Sequence, residues 1–254
     1  MNRWITDTQR TGAPLPLPVM RLLVLWSAPR CRSTAFERMM RERGDFTILH
    51  EPFSHLTDYG STTVDGQVIT TEPQLLAALN RTPGPAFLKD TTDFHYQGVL
   101  TDREFLGGAR HTFIIRHPQE AIASHFALNP KLGLDEVGFA WLYEIFAAVL
   151  DATGVTPVVV DSDDLVRDPA STVERYCDVV GIPFLPGALS WSPGMASGWE
   201  RSERWHKDTS SSNTFAQRPR RYETSVDNSP LLAEYLAYHL PYYERLREHR
   251  IKVG

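Results

Sequence analysis

Leu22 to Met40 reads LLVLWSAPRCRSTAFERMM. Its first five residues, Leu22-Leu23-Val24-Leu25-Trp26, form an unbroken apolar run, the pattern of a strand covered on both faces. A polar turn without glycine follows, from Ser27 to Arg32. Ser33 and Thr34 then stand where an N-cap or first helical turn belongs, and Ala35, Phe36, Met39 and Met40 supply an apolar stripe at helical spacing. A strand, a basic turn and a helix start bring free N–H groups and the positive end of a helix dipole to one place, which suits an anion. Arg30, Arg32 and the hydroxyls of Ser33 and Thr34 could complete such a cradle. The plain alternative is a strand-to-helix turn with solvated arginines, and this stretch alone leaves both open. It excludes two familiar phosphate loops: the Walker A spacing is absent, and the G-x-G-x-x-G pattern has no glycine to start from.

The rest of the chain narrows the class. Its 254 residues, 42% hydrophobic and 11% aromatic, suffice for one α/β domain with a full core. A net charge of −5 argues against a general nucleic-acid binder and makes the basic turn a local feature. Cys31 and Cys177, the two cysteines, form neither a disulfide framework nor a metal motif and fit a reducing, cytoplasmic setting. No apolar run reaches the ~18 residues of a membrane span, and the first 20 residues lack the apolar centre of a signal peptide. Pro14, Pro16 and Pro18 make residues 1–19 an extended lead-in.

Further strands are predicted at Phe46–Leu49, Ala86–Leu88, His111–Ile115 and Thr156–Val160, with helical patterns between them. Gly44 is a candidate C-cap, and Leu134–Leu150 is the longest helical pattern. Strand and helix alternating in this way give a central parallel sheet flanked by helices, a three-layer α/β fold. Ligands of such sheets gather at the carboxyl ends of strands. His50-Glu51 follows the second strand, and Lys89-Asp90-Thr91-Thr92-Asp93-Phe94-His95 follows the third. His50 and Glu51 are site candidates or a solvated pair; Asp90, Asp93 and His95 are candidate bases or the capping residues of a helix start. Arg116 closes the next strand, and Ser124 stands eight residues on. Residues 54–71 read as a loop or lid, 185–227 as a long functional loop, and 229–247 as a C-terminal helix with Pro241 within it.

Three of these stretches together resemble the PAPS-dependent sulfotransferase family, in its bacterial, small-molecule form, across most of residues 20–215. Ala28-Pro29-Arg30-Cys31-Arg32-Ser33-Thr34 resembles the family's 5′-phosphosulfate loop, commonly Y-P-K-S-G-T-T, with Arg30 at the usual lysine and Arg32 at the usual glycine. Arg116 and Ser124 match in spacing the pair that holds the 3′-phosphate. Trp205-His206-Lys207, with the Ser/Thr run after it, resembles the late loop that closes over the nucleotide, without its arginine–lysine–glycine form. The resemblance implies a P-loop-like fold spanning residues 1–254, a 3′-phosphoadenosine 5′-phosphosulfate (PAPS) donor, a 3′,5′-adenosine bisphosphate (PAP) product and no metal. It implies Arg30 to Thr34, Arg116, Ser124 and Trp205 to Lys207 as donor-binding residues, and a small-molecule alcohol or phenol as acceptor. Cytosolic members carry K-T-H after a central strand, whereas this chain has Lys89-Asp90-Thr91. Glu51 is therefore the favoured base, with His50, Asp90 and His95 behind it and Arg30 stabilising the leaving phosphate. Aromatic residues at 53, 94, 96, 191 and 199 are either an apolar acceptor pocket or core. A P-loop-type kinase, and a non-catalytic nucleotide- or partner-binding protein on the same fold, are the rival readings.

Overall fold

The computed structural model describes residues 20–215 and 221–253. The proline-rich lead-in lies outside them. The elements in chain order are β1 (Leu22–Ser27), α1 (Ser33–Arg43), β2 (Thr47–His50), α2 (Pro52–Tyr59), β3 (Thr62–Val64), β4 (Gln67–Ile69), α3 (Glu72–Arg81), β5 (Ala86–Thr91), α4 (Gln97–Thr101), α5 (Arg103–Gly108), β6 (Arg110–Ile115), α6 (Pro118–Phe126), α7 (Phe139–Thr153), β7 (Val158–Asp161), α8 (Ser162–Arg167), α9 (Pro169–Val180), α10 (Glu203–Ser210) and α11 (Pro230–Glu248). Five strands pair in the order β2-β5-β1-β6-β7, and every pairing is parallel. β3 and β4 form a separate antiparallel hairpin.

The apolar run that opens the chain's central motif is the middle strand, and all six residues of β1 are buried. Alternation along it assigns the layers. Leu22, Val24 and Trp26 join a cluster with residues of α3, α5, α7 and α11, while Leu23 and Leu25 join α1 and α9 on the other face. Trp26 also carries a polar tie: its Nε1–H donates to His111 Nδ1 at 3.0 Å. His111 Nε2 then donates to the Phe105 carbonyl at 3.1 Å, and burial lowers the imidazole pKa to about 4, so it is neutral in the core.

Three segments differ from the sequence reading. The stretch 54–71 is not a loop. Pro52 occupies the first turn of α2, whose amides find their cap far along the chain, on Asp90. Gly60 ends the helix at φ 72°, and the β3–β4 hairpin follows. The stretch 185–227 contains 3₁₀ turns at Pro186–Leu189 and Glu200–Ser202, and then α10. The pattern 134–150 is broken at Gly138, with a 3₁₀ turn before it and α7 after. Gly138 sits at φ +84°, and a Cβ there would meet the Thr92 carbonyl oxygen at 2.5 Å and Pro29 Cδ at 2.9 Å. Only glycine lets this segment back so closely onto the turn after β1. The C-terminal helix begins and ends one residue later than expected, with Ser229 as its N-cap.

Candidate active site

β1 lies between β5 and β6, so the turn after it emerges where the chain's connections diverge to either side, the ordinary ligand site of such sheets. Arg30 and Arg32 both hold φ 66° within that turn. Left-handed backbone is uncommon for a side-chain-bearing residue, and at position 32 the resemblance expects glycine, the residue most at ease there. The Arg32 carbonyl accepts from Ala35 and Phe36 at 3.1 and 3.3 Å, starting α1 and leaving the first-turn amides of Ser33 and Thr34 directed out of the helix start.

The arginines divide their duties. Arg32 turns its guanidinium to Ser162 Oγ at 3.0 Å and Asp163 Oδ1 at 2.5 Å, so its role at the turn is through the backbone. Arg30 reaches the other way, donating to Ser124 Oγ at 3.1 Å and to the Trp205 carbonyl at 2.9 Å, with Asp208 at 3.5 Å. Arg116 donates to the Arg30 carbonyl at 3.4 Å and pairs with Glu120. Its Nε is buried and has no partner among the described residues. The basic turn, Arg116 and Ser124 therefore form one assembly, and Arg116 keeps a donor in reserve.

A second assembly meets it at the ends of β2 and β5. Glu51, at φ 46°, accepts from the Lys89 ammonium, and the two are 8% and 1% exposed. His50 stands behind Glu51, with Nε2 at 3.4 Å from Glu51 Oε2 and Nδ1 at 2.6 Å from Glu37 Oε2. Glu37 is fully buried and also receives Arg41 and the Trp199 indole N–H at 3.0 Å. Burial opposes ionisation of Glu51, but Lys89, and after it His50, outweigh that cost and hold its pKa at about 2. His206, from α10, contacts the Thr34 hydroxyl at 3.3 Å and Ser202 Oγ at 2.8 Å; burial lowers its pKa to about 3. The late segment is thus fastened to the first turn of α1.

These groups line one cleft. Of the sequence candidates, Arg30, Arg32, Ser33, Thr34, Glu51, Asp93, Arg116, Ser124, Trp205 and His206 are brought together in its walls. Lys207 lines a second cavity adjoining it beside Ser124 and Trp205. Four candidates are placed elsewhere. Cys31 has a buried thiol against the Pro29 carbonyl, its pKa pushed up to about 12 by burial, so only its backbone belongs to the turn. His50 is buried behind Glu51. Asp90 spends its carboxylate on the Phe53 and Ser54 amides at 2.6 and 3.2 Å and on the Ser54 hydroxyl at 2.6 Å, a capping role with no opening to the cleft. His95 is exposed, 3.0 Å from Glu144, with its ring 4.3 Å from the Trp141 ring and tilted 41° to it.

Lys89, His55 and Asp58 line the cleft although the sequence pattern does not mark them as site residues. Recognising Pro52 as a helix start would have found two of them, because Glu51, His55 and Asp58 then fall on successive turns of one face. Nothing local in the sequence marks Lys89 as Glu51's partner. As to cations, among the described residues the donor atoms of His50, Glu51 and His206 lie within 4.8 Å of one another. Lys89 already neutralises Glu51 there, so a dication would have to settle beside a buried ammonium.

A family model described as a sulfotransferase domain matches residues 20–249. Two Arabidopsis thaliana proteins named branched-chain-amino-acid aminotransferase-like protein 2 and protein 1 are each 26% identical to the chain, over 91% and 88% of its length. The chain spans only 42% and 41% of those relatives. Among solved structures, a sulfotransferase domain from the curacin biosynthetic pathway superposes with a TM-score of 0.50 at 15% identity, covering 89% of this chain and 98% of its own.

Proposed function

The chain belongs to the sulfotransferase domain family, and on that premise we propose that it moves a sulfuryl group from PAPS to the hydroxyl of a small-molecule alcohol. The observation that carries the proposal is the convergence of the left-handed turn at Arg30–Arg32, the first turn of α1, Arg116 and Ser124 in one wall of the cleft. The fit to a bis-anionic nucleotide is specific: the unpartnered Arg116 Nε and the Ser124 hydroxyl offer donors for one phosphate, and the Ser33 and Thr34 amides and hydroxyls offer donors for another. When bound, the donor supplies the sulfuryl group and, as its leaving group, a phosphate of low basicity.

The chain's own part is positioning and charge. Arg30, from the turn, neutralises negative charge with a guanidinium that stays protonated at any working pH. Glu51 takes the proton of the attacking hydroxyl. Its low basicity suits a loose transfer of the kind phosphoryl groups undergo, where the nucleophile needs deprotonation only as the new bond nears completion. Lys89 holds Glu51 ionised and aimed. A cytoplasmic setting is consistent with the two free, buried cysteines, and no helix among the described residues is long and apolar enough to cross a membrane.

Arg116→Ala tests the donor site. Losing one set of charge-assisted hydrogen bonds costs about 1.5–3 kcal/mol, so PAP affinity should fall about ten- to a hundredfold in calorimetric titration. Unchanged affinity would remove the assigned 3′-phosphate role.

A further inference from the structure

One wall of the cleft bears on the acceptor, whose identity is inferred on the premise of sulfuryl transfer. α2 and the end of β5 build this wall from Glu51, Ser54, His55, Asp58, Thr91 and Asp93. Phe53, Phe94, Tyr96, Trp191 and Trp199, the aromatic residues noted in the sequence, do not line it; Phe53, Tyr96, Trp191 and Trp199 are buried, and Phe94 packs half-buried against the core. Those five aromatics therefore build no apolar, phenol-sized slot in this wall.

Its charge is one-sided. Glu51 is matched by Lys89. Asp58 and Asp93 have no cation within 4.0 Å among the described residues: Asp93 accepts from the Thr91 hydroxyl at 2.8 Å, and Asp58 is solvent-exposed. Arg204, the guanidinium that acts on Asp58, lies over the Trp205 ring at 4.6 Å, and Arg201 lies over Tyr59 and donates to the Ser61 carbonyl. Burial, with Glu51 and Asp58 adding to it, pushes the Asp93 carboxyl up to about 7. A separate observation points to a polar ligand on the same wall. His55 is 7% exposed, and its Nε2 has no hydrogen-bond partner among the described residues. A buried polar atom left unmatched in this way costs stability unless something meets it.

We propose that the acceptor is an amino alcohol or amino sugar: a molecule whose ammonium group is received by Asp58 and Asp93 while its hydroxyl is presented to Glu51. The reaction then balances simply. The S–O bond to the donor's phosphate breaks, with the electron pair leaving on the phosphate oxygen. A new S–O bond forms to the acceptor oxygen, and its proton passes to Glu51. The ammonium does not react; it selects.

The test uses the full chain saturated with PAP and two matched pairs of probes, glucosamine against N-acetylglucosamine and tyramine against 4-ethylphenol, with binding followed by ligand-observed NMR. Each amine should bind about tenfold or more tightly than its neutral partner, as expected for an ion pair in a partly buried site. Asp58→Asn combined with Asp93→Asn should abolish most of that preference and leave PAP affinity unchanged. Equal or tighter binding of both neutral partners, a preference that survives the double substitution, or no binding by any of the four would overturn the proposal. Failure of PAP itself to bind would instead remove the donor reading beneath it, so the two failures are separable.

Discussion

Glu51→Gln is expected to lower turnover by about 10²- to 10⁴-fold, the usual contribution of a positioned general base, and to leave PAP affinity where it was. Glutamine keeps the shape of the side chain and can still accept from Lys89, but it cannot hold a proton. Glu51 lines the cleft, and the buried Glu37–His50 pair fixes it from behind. Because Lys89 and His50 hold the Glu51 pKa near 2, the carboxylate is fully ionised at neutral pH. The turnover of the native protein should therefore show no acid limb in the ordinary carboxylate range from this residue. The measurement is PAP released from PAPS in the presence of an amino-alcohol acceptor, with a thermal melt as the control for folding. A Glu51→Gln protein that folds, binds PAP and turns over at the native rate would strip Glu51 of its role and pass it to His55 or His206, the neutral imidazoles in the same cleft.

Lys89→Met is expected to be the most destabilising single change at the site. It leaves the Glu51 carboxylate buried without its cation, a situation that costs about 3–5 kcal/mol in buried ion pairs broken from one side. For a chain of this size that corresponds to a fall in Tm of about 6–20 °C. The pH dependence carries a definite sign. In the native protein the Glu51 pKa is depressed from 4.5 to about 2, so its stabilising contribution is complete above 4.5 and is lost as pH falls through about 2. Without Lys89, burial dominates and the folded-state pKa rises above its unfolded value. The penalty in Lys89→Met is then largest at neutral pH and shrinks as acid protonates Glu51. Adding Glu51→Gln to Lys89→Met should recover much of the loss, because removing both charges leaves no uncompensated ion. Melts of all four proteins at neutral and acidic pH test this, and a Lys89→Met protein that melts with the native one would contradict the ion pair.

The sequence made the sheet and the basic turn legible for a simple reason. Strands buried on both faces are written as unbroken apolar runs, and a helix start is written in its first turn. Leu22–Trp26 and the Arg116–Ser124 spacing needed no long-range information. What stayed hidden depends on partners distant in sequence. α2 is capped by Asp90, 37 residues from Phe53, so its own N-terminus carries no capping side chain. The same fact turned Asp90 from a candidate base into a structural acceptor. His50 lost its place at the cleft because Glu37, one helix earlier, draws it inward. Lys89 reads in sequence as one polar residue among several, and becomes Glu51's counter-ion only when β5 is laid beside β2. Residues 185–227 lack a repeating pattern because the segment folds onto α1 through single anchors, Trp199 on Glu37 and His206 on Thr34.

Selection for a 3′-phosphate is the defining property proposed for the nucleotide site, and calorimetry tests it most directly. PAP is titrated into the protein, with ATP and magnesium as the comparison under the same conditions. Tight binding of PAP with little or none of ATP is the predicted result. A preference for ATP with magnesium, or no binding of either nucleotide, would contradict it.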